Sequence, residues 1–132
     1  MDETEKTRKQ MQIFAAREKI LKIKKIVFKI IEEMLEKEIS EDWFLENCPK
    51  LCTTEYEDVI VERSIDRLCG YPLCSNSIKQ VKKQTYHICC LDNKVYDLTE
   101  RKYFCSNECF KASNILKHQL SSLPLYMRLL QL

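Results

Sequence analysis

The chain has 132 residues, the usual length of one domain and enough to bury about two-thirds of the surface exposed in the unfolded form. Hydrophobic residues make up 45% and charged residues 32%, which is typical of a soluble globular protein. A net charge of +2 is too balanced to predict non-specific nucleic-acid binding.

The sequence has no signal for a membrane or for secretion. No stretch approaches the ~20 apolar residues of a membrane span, and the charged start MDETEKTRKQ lacks the apolar core of a secretion signal. We therefore expect the protein in the nucleus and cytoplasm, where thiols stay reduced. Eight cysteines in that environment are expected to be metal ligands or small buried apolar groups and not disulfides, and metal binding is favoured for those paired at short spacing.

The first predicted element is a long helix over residues 11–38. Apolar residues recur there at alternating spacings of three and four, namely Ile13, Ala16, Ile20, Ile23, Val27, Ile30 and Met34. Further apolar residues widen this seam to a broad face, which favours packing within the domain. Dimerisation through the helix stays open as the less favoured alternative.

Two shorter helices follow. Ser40 is predicted to cap a second helix that Pro49 closes, since acidic residues come directly after the serine. Thr54 and Glu57 have the spacing of a capping box, so a third helix is predicted from near Thr54 to about Leu68.

The chain then changes character. Residues 78–98 are rich in Val, Ile, Thr and Tyr, and they predict a β-hairpin with its turn at Asp92–Asn93. Ser106 is predicted to cap a last helix through about Leu120, followed by an apolar tail. The predicted fold class is mainly α with a small β-hairpin.

The eight cysteines form four close pairs, Cys48/Cys52, Cys69/Cys74, Cys89/Cys90 and Cys105/Cys109. Structural zinc is bound by four thiolate or imidazole ligands, usually offered as two short-spaced pairs. The second of these pairs lies in a turn with Gly70 and Pro72, where glycine can adopt dihedral angles closed to other residues. The fourth pair straddles a predicted helix start, whose N–H groups favour thiolates.

We therefore predict one structural zinc ion bound by Cys69, Cys74, Cys105 and Cys109. A centre of four thiolates has no open position for water, so it explains folding and not chemistry. Three less favoured ligand sets stay open. Cys48 and Cys52 could replace one pair, and His87 or His118 could serve as a ligand. Adjacent Cys89 and Cys90 are predicted to point to opposite faces of a strand, so they cannot easily bind one ion together.

Two segments resemble a known family. The runs DVIVERSIDRLCGYPLC (58–74) and KVYDLTERKYFCSNECFKAS (94–113) are similar to the RNA polymerase II-associated protein two family, relatives of the yeast Rtr-type phosphatase. The resemblance implies one domain over 1–132, with a helical part (1–67), a zinc finger with a hairpin (68–110) and a C-terminal helix and tail (106–132). It also implies zinc ligation by the same four cysteines.

The resemblance further implies binding to RNA polymerase II and to its phosphorylated C-terminal repeat domain. The implied activity is that of a protein serine/threonine phosphatase that acts on the serine at heptad position five. The common phosphatase signatures are absent, because no cysteine is followed six residues later by arginine and no Asp-x-Asp pair occurs.

A pocket beside the zinc ligands is the remaining hypothesis for catalysis. Arg63 and Arg101 could clamp phosphate, Glu62 could be the general acid or base, and Tyr96 could be a donor or nucleophile. The structural alternative is that Glu62–Arg101 or Glu100–Arg63 are ion pairs and that Tyr96 packs in a strand.

Two classes of function therefore stay open. One is the phosphatase, and the other is a non-catalytic binding module that assists assembly, nuclear import or recycling of the polymerase. Direct DNA binding is not expected, because the predicted fingertip is a hairpin and not a recognition helix.

Overall fold

The protein is mainly helical, as predicted, in a computed structural model that describes residues 3–78, 86–89, 94–97 and 100–130. The described helices are α1 (Glu3–Met34), α2 (Glu41–Asn47), α3 (Thr53–Ile65), α4 (Asn107–Gln119) and α5 (Leu125–Leu130). Short 3₁₀ helices span Cys48–Lys50 and Arg101–Tyr103. None of the helices in these ranges is long and apolar enough for a membrane crossing.

Helix α1 is longer than predicted at its start and shorter at its end. It begins at Glu3 and ends at Met34, and its buried residues are Ile23, Val27, Ile30 and Met34. The seam of alternating spacings therefore packs in the domain, but only over its second half. In the first half Ile13 of the same seam is 53% exposed, because no described element covers this part of the helix.

The core joins the end of α1 to the short helices and to the turn around Gly70. It is built from large buried side chains, namely Val27, Ile30, Met34, Phe44, Leu51, Tyr56, Val59, Ile60 and Phe104, together with Cys48 and Cys69. Inside it, the Tyr56 hydroxyl lies 2.8 Å from the Ser113 hydroxyl and links α3 to α4. This buried pair satisfies two polar groups that would otherwise destabilise the core.

Helix capping differs in part from the sequence prediction. Helix α3 is capped by Cys52, whose backbone N–H donates to Glu55 Oε1 at 2.9 Å, so the predicted box at Thr54 and Glu57 is wrong. The prediction failed because serine and threonine are favoured caps and cysteine is not. The predicted cap of α4 is confirmed, since Ser106 Oγ accepts from the N–H of Cys109 at 3.2 Å.

The described residues between the cysteine pairs include two strands. Strands β1 (Tyr86–Cys89) and β2 (Lys94–Asp97) pair antiparallel, with Tyr86 opposite Asp97. The turn predicted at Asp92–Asn93 lies outside the described residues.

Helix α5 forms in the apolar tail, where no helix was predicted. Arg128 holds it against the rest of the domain by donating from Nη1 to the Pro49 carbonyl at 2.9 Å and from Nη2 to the Lys50 carbonyl at 3.0 Å. Lys24 of α1 also lies 5.0 Å from the centre of the Tyr126 ring. A helix of six residues is not stable alone, so these contacts explain why it forms here.

Gly70 is needed for a reason that the sequence did not indicate. Its backbone is not left-handed, and among the described residues the non-glycine residue with positive φ is Arg67, at 62°. A Cβ atom on Gly70 would lie 2.7 Å from Ile60 Cγ2 and 3.0 Å from the Tyr103 carbonyl oxygen. The predicted role of special dihedral angles is therefore wrong, and the requirement is the close approach of the Ile60 side chain and the Tyr103 backbone.

We predict that Gly70→Ala lowers the free energy of unfolding by about 1–3 kcal/mol, because the added methyl group overpacks this contact. Denaturant unfolding of the metal-loaded protein measures the change. Arg67→Gly is the matched control, because it relieves the left-handed backbone at an exposed residue and should be neutral or slightly stabilising. Equal stability of Gly70→Ala and the wild type would contradict the close-approach explanation.

Candidate metal centre

Four cysteine sulfurs lie together in the structure. The Sγ atoms of Cys69, Cys74, Cys105 and Cys109 are all within 4.8 Å of one another. The sulfurs of Cys74 and Cys105 are 3.6 Å apart, and those of Cys105 and Cys109 are 3.8 Å apart. A tetrahedron with metal–sulfur bonds of about 2.3 Å has edges of about 3.8 Å. The donor set and its spacing therefore fit one tetrahedral metal ion.

The first pair is presented by a tight turn after α3. The backbone N–H of Cys69 donates to the Asn76 carbonyl at 2.9 Å, which closes the turn at its base. Within the turn, the N–H of Cys74 donates to the Tyr71 carbonyl at 2.9 Å. These bonds fix both cysteine backbones, so the two sulfurs point to the same side.

The second pair is brought to the first by contacts between the two chain segments. The N–H of Gly70 donates to the Tyr103 carbonyl at 2.7 Å, and the N–H of Cys105 lies 3.4 Å from Cys69 Sγ. Cys105 precedes the cap residue Ser106, and Cys109 lies in the first turn of α4. The local rules of helix capping therefore determine the separation of these two sulfurs.

The thiols of the cluster differ in their ease of ionisation. Burial raises the pKa of Cys69 and of Cys74, although hydrogen bonds from the backbone N–H groups of Cys105 and Asn76 respectively oppose this. Burial also acts on Cys105, but hydrogen bonds from Asn76 and the neighbouring cysteines lower its pKa to about 7. Buried thiolates need a compensating charge, and a divalent cation bound at their centre supplies it.

The other cysteines and histidines are placed apart from this cluster or outside the described side chains. Cys48 and Cys52 are free and buried in the core, and burial raises the pKa of Cys48 to about 12. His118 is exposed, with its Nδ1 atom 2.6 Å from the Asn114 carbonyl oxygen. The side chains of His87, Cys89 and Cys90 lie outside the described part of the structure.

The candidate catalytic residues do not share one environment. Arg63 is fully buried and its guanidinium bonds to backbone carbonyls, whereas Glu62 is exposed on α3. Arg101 is half-buried and donates from Nη1 to the Phe104 carbonyl at 3.0 Å. Tyr96 lies in β2, with its side chain outside the described set.

The ion pairs offered as the structural alternative are not formed among the described side chains. Glu100 lies instead 3.9 Å from Lys117, whose ammonium group is also 3.6 Å from Glu57. These groups border a cleft of about 230 Å³ between α3 and α4. The cleft is lined by Glu57, Ile60, Val61, Glu100, Tyr103, Phe104, Asn114 and Lys117. No sequence spacing pointed to it, because its residues come from three separate segments.

The chain resembles curated proteins across most of its length. It is 43% identical over 129 residues to a Bos taurus protein named "Putative RNA polymerase II subunit B1 CTD phosphatase RPAP2", covering 97% of this chain and 21% of that protein. It is 48% identical over 99 residues to the Drosophila melanogaster homologue of the same name, covering 75% of this chain and 69% of that protein. The chain thus spans about a fifth of the length of the cattle relative.

Solved structures show the same fold. The crystal structure of the transcription regulator protein Rtr1 from Kluyveromyces lactis superposes with a TM-score of 0.63 at 25% identity, covering 83% of this chain and 71% of that chain. The structure of Saccharomyces cerevisiae Rtr1 has a TM-score of 0.63 at 24% identity, covering 80% of this chain and 62% of that chain. The sequence profile of the Rtr1/RPAP2 family matches residues 49–121, which include all four clustered cysteines. This chain therefore belongs to the Rtr1/RPAP2 family.

Proposed function

We propose that the four clustered cysteines bind one zinc ion, that the residues between the two pairs form a single hairpin, and that the ion stabilises the fold. Four sulfur donors with separations of 3.6 and 3.8 Å support zinc, which prefers tetrahedral thiolate sites. Calcium and magnesium prefer oxygen ligands, so they do not suit this donor set. The protein fills all four positions of the tetrahedron and leaves none for a catalytic water.

As its function, this chain associates with RNA polymerase II and removes phosphate from the C-terminal repeats of the largest subunit. The similarity over 97% of the chain to a relative named as a CTD phosphatase carries this proposal. The preferred substrate is the phosphoserine at heptad position five, and the protein works in the nucleus and cytoplasm. The zinc ion has a structural role, so other side chains would have to perform the chemistry.

Exposure separates the catalytic candidates. Glu62 and Arg101 are accessible and could serve as general acid or base and as phosphate ligand, with Tyr96 as a further candidate. Arg63 has no exposed surface. It could reach a phosphate only by leaving its backbone acceptors, which would cost several kcal/mol because four carbonyls would lose their donor.

The second candidate is a binding module without catalysis, and one surface favours it. Phe14, Leu21 and Phe28 recur every seven residues on α1 and are 63%, 59% and 61% exposed. We name these three residues the α1 stripe. Exposed aromatic and aliphatic side chains in a row are typical of protein interaction sites. Arg17 and Lys25 lie on the same helix and suit an acidic partner surface.

We predict that the purified chain carries one zinc ion and that its removal by a chelator abolishes cooperative thermal unfolding. Metal analysis and calorimetry measure these two quantities. Cys105→Ser should give up the ion to a weak chelator, whereas Cys48→Ala should lose stability and keep the ion. Retention of one tightly bound zinc by Cys105→Ser would contradict the assignment of ligands.

We predict that the zinc-loaded chain releases phosphate from a heptad-repeat peptide phosphorylated at position five. Glu62→Gln should lower kcat/KM by about 10²-fold or more if Glu62 is the general acid or base. Arg101→Met and Tyr96→Phe test the other two candidates in the same assay. Glu32→Gln, which neutralises an exposed carboxylate on α1, is the matched control. Absence of release above blank would contradict the phosphatase proposal and favour the binding module.

We predict that Leu21→Glu and Phe28→Glu weaken binding to purified RNA polymerase II at least tenfold, because a buried contact would have to accept a charge. Both residues are exposed, so zinc content and melting temperature should stay unchanged. Ile115→Glu places the same charge at a residue of α4 that is 63% exposed, which makes it the matched control. Equal affinities for all three variants and the wild type would exclude the α1 stripe as the docking surface.

A further inference from the structure

The side chain of Arg63 is fully enclosed and bonds to four backbone carbonyls. Its Nε donates to the Cys69 carbonyl at 2.9 Å, and Nη2 donates to the Cys74 carbonyl at 3.0 Å. On the other side, Nη1 donates to the carbonyls of Met34 at 2.8 Å and Glu36 at 2.6 Å. One guanidinium thus joins α3, the end of α1 and the turn of the first cysteine pair.

Two of these acceptors belong to the residues that offer the first pair of sulfurs. The planar guanidinium has its N–H groups in a fixed fork, so the carbonyls of Cys69 and Cys74 are held at a fixed separation. The backbone of a ligand determines where its sulfur can lie. Arg63 therefore acts on the metal site through the main chain of both residues, without touching the ion.

The charge of Arg63 also needs an explanation. The residue has 0% exposure, and none of the described carboxylates lies within the 4 Å of a salt bridge to it. A buried cation without a counter-charge is strongly destabilising. Four thiolates with one divalent ion carry a net charge of −2, and their first pair lies in the turn to which the guanidinium bonds. The negative charge of this partly buried cluster offsets the positive charge of the guanidinium.

We propose that Arg63 is a positioning residue of the metal centre, which holds the backbones of Cys69 and Cys74 in their ligating geometry and offsets the negative charge of the four thiolates. The inference rests on the proposed zinc site and is independent of the phosphatase activity. It assigns to Arg63 a role different from the phosphate clamp that the sequence suggested.

The test compares the zinc affinity of the wild type, Arg63→Met and Arg63→Lys by competition with a chromophoric chelator. Arg63→Met loses both the charge and the fork, so we expect affinity to fall by about 10–100-fold, the range for residues that support metal ligands. Arg63→Lys keeps the charge and loses the fork, so its affinity should lie between those of the other two proteins. Visible absorption of the Co²⁺-loaded proteins should also change, since it reports the geometry of the four sulfurs.

Tyr56→Phe is the control for a general loss of stability. Tyr56 lies on the same helix as Arg63, and the substitution removes the buried hydrogen bond from its hydroxyl to Ser113, which is not one of the metal ligands. It should lower the melting temperature and leave the Co²⁺ spectrum unchanged. If Arg63→Met folds only in excess zinc, its affinity cannot be measured by competition, and the zinc affinity of Arg63→Lys is then compared with that of the wild type.

Three results would overturn the inference. One is a zinc affinity of both Arg63→Met and Arg63→Lys within about threefold of the wild type. Another is a loss of zinc affinity in Tyr56→Phe as large as that in Arg63→Met. Failure of both Arg63 variants to fold in saturating zinc would also overturn it, because the role would then be in general folding. A wild-type protein that binds neither Zn²⁺ nor Co²⁺ would instead refute the metal site itself.

Discussion

The hydrogen bond from the Gly70 N–H to the Tyr103 carbonyl, at 2.7 Å, is the contact on which the arrangement of the cysteines depends. It brings together two chain segments that are far apart in sequence. Gly70 lies within the first ligand pair, and Tyr103 lies shortly before the second. Glycine suits this contact because a Cβ atom on residue 70 would lie 2.7 Å from Ile60 Cγ2 and 3.0 Å from the Tyr103 carbonyl oxygen. Phe104 and Ile60, both beside this contact, belong to the buried core, so the site and the hydrophobic core share one boundary. Stability of the core and geometry of the site are therefore coupled.

Sequence reasoning found the features that depend on local spacing. The two cysteine pairs, the cap at Ser106 and the seam on α1 each follow from a short-range rule that holds wherever the motif occurs. The four cysteines could be grouped because zinc sites are built from such pairs. The family resemblance rested on the two runs around those pairs, and the comparisons confirm the family.

Features that depend on packing between distant segments were beyond sequence reasoning. Nothing in the spacing of Arg63 distinguishes a phosphate ligand from a buried residue that bonds to four carbonyls, since both need a cation near the turn. The length of α1 that is buried could not be predicted from the sequence either. An apolar seam shows that a face can be buried, and only the three-dimensional fold shows how far the covering elements reach. The predicted capping box at Thr54 and Glu57 was wrong because cysteine, which caps α3 at position 52, rarely takes that role.

The single continuous helix α1 has a consequence for how its exposed part behaves. Helix formation is limited by nucleation, and the buried second half supplies a nucleus from which the first half can extend. The α1 stripe is therefore already arranged on a helix before any partner arrives. Much of the conformational entropy of that surface is lost on folding instead of on association, so a partner that binds there meets a preorganised surface. A flexible arm with the same residues would bind more weakly, because it would lose that entropy when it binds.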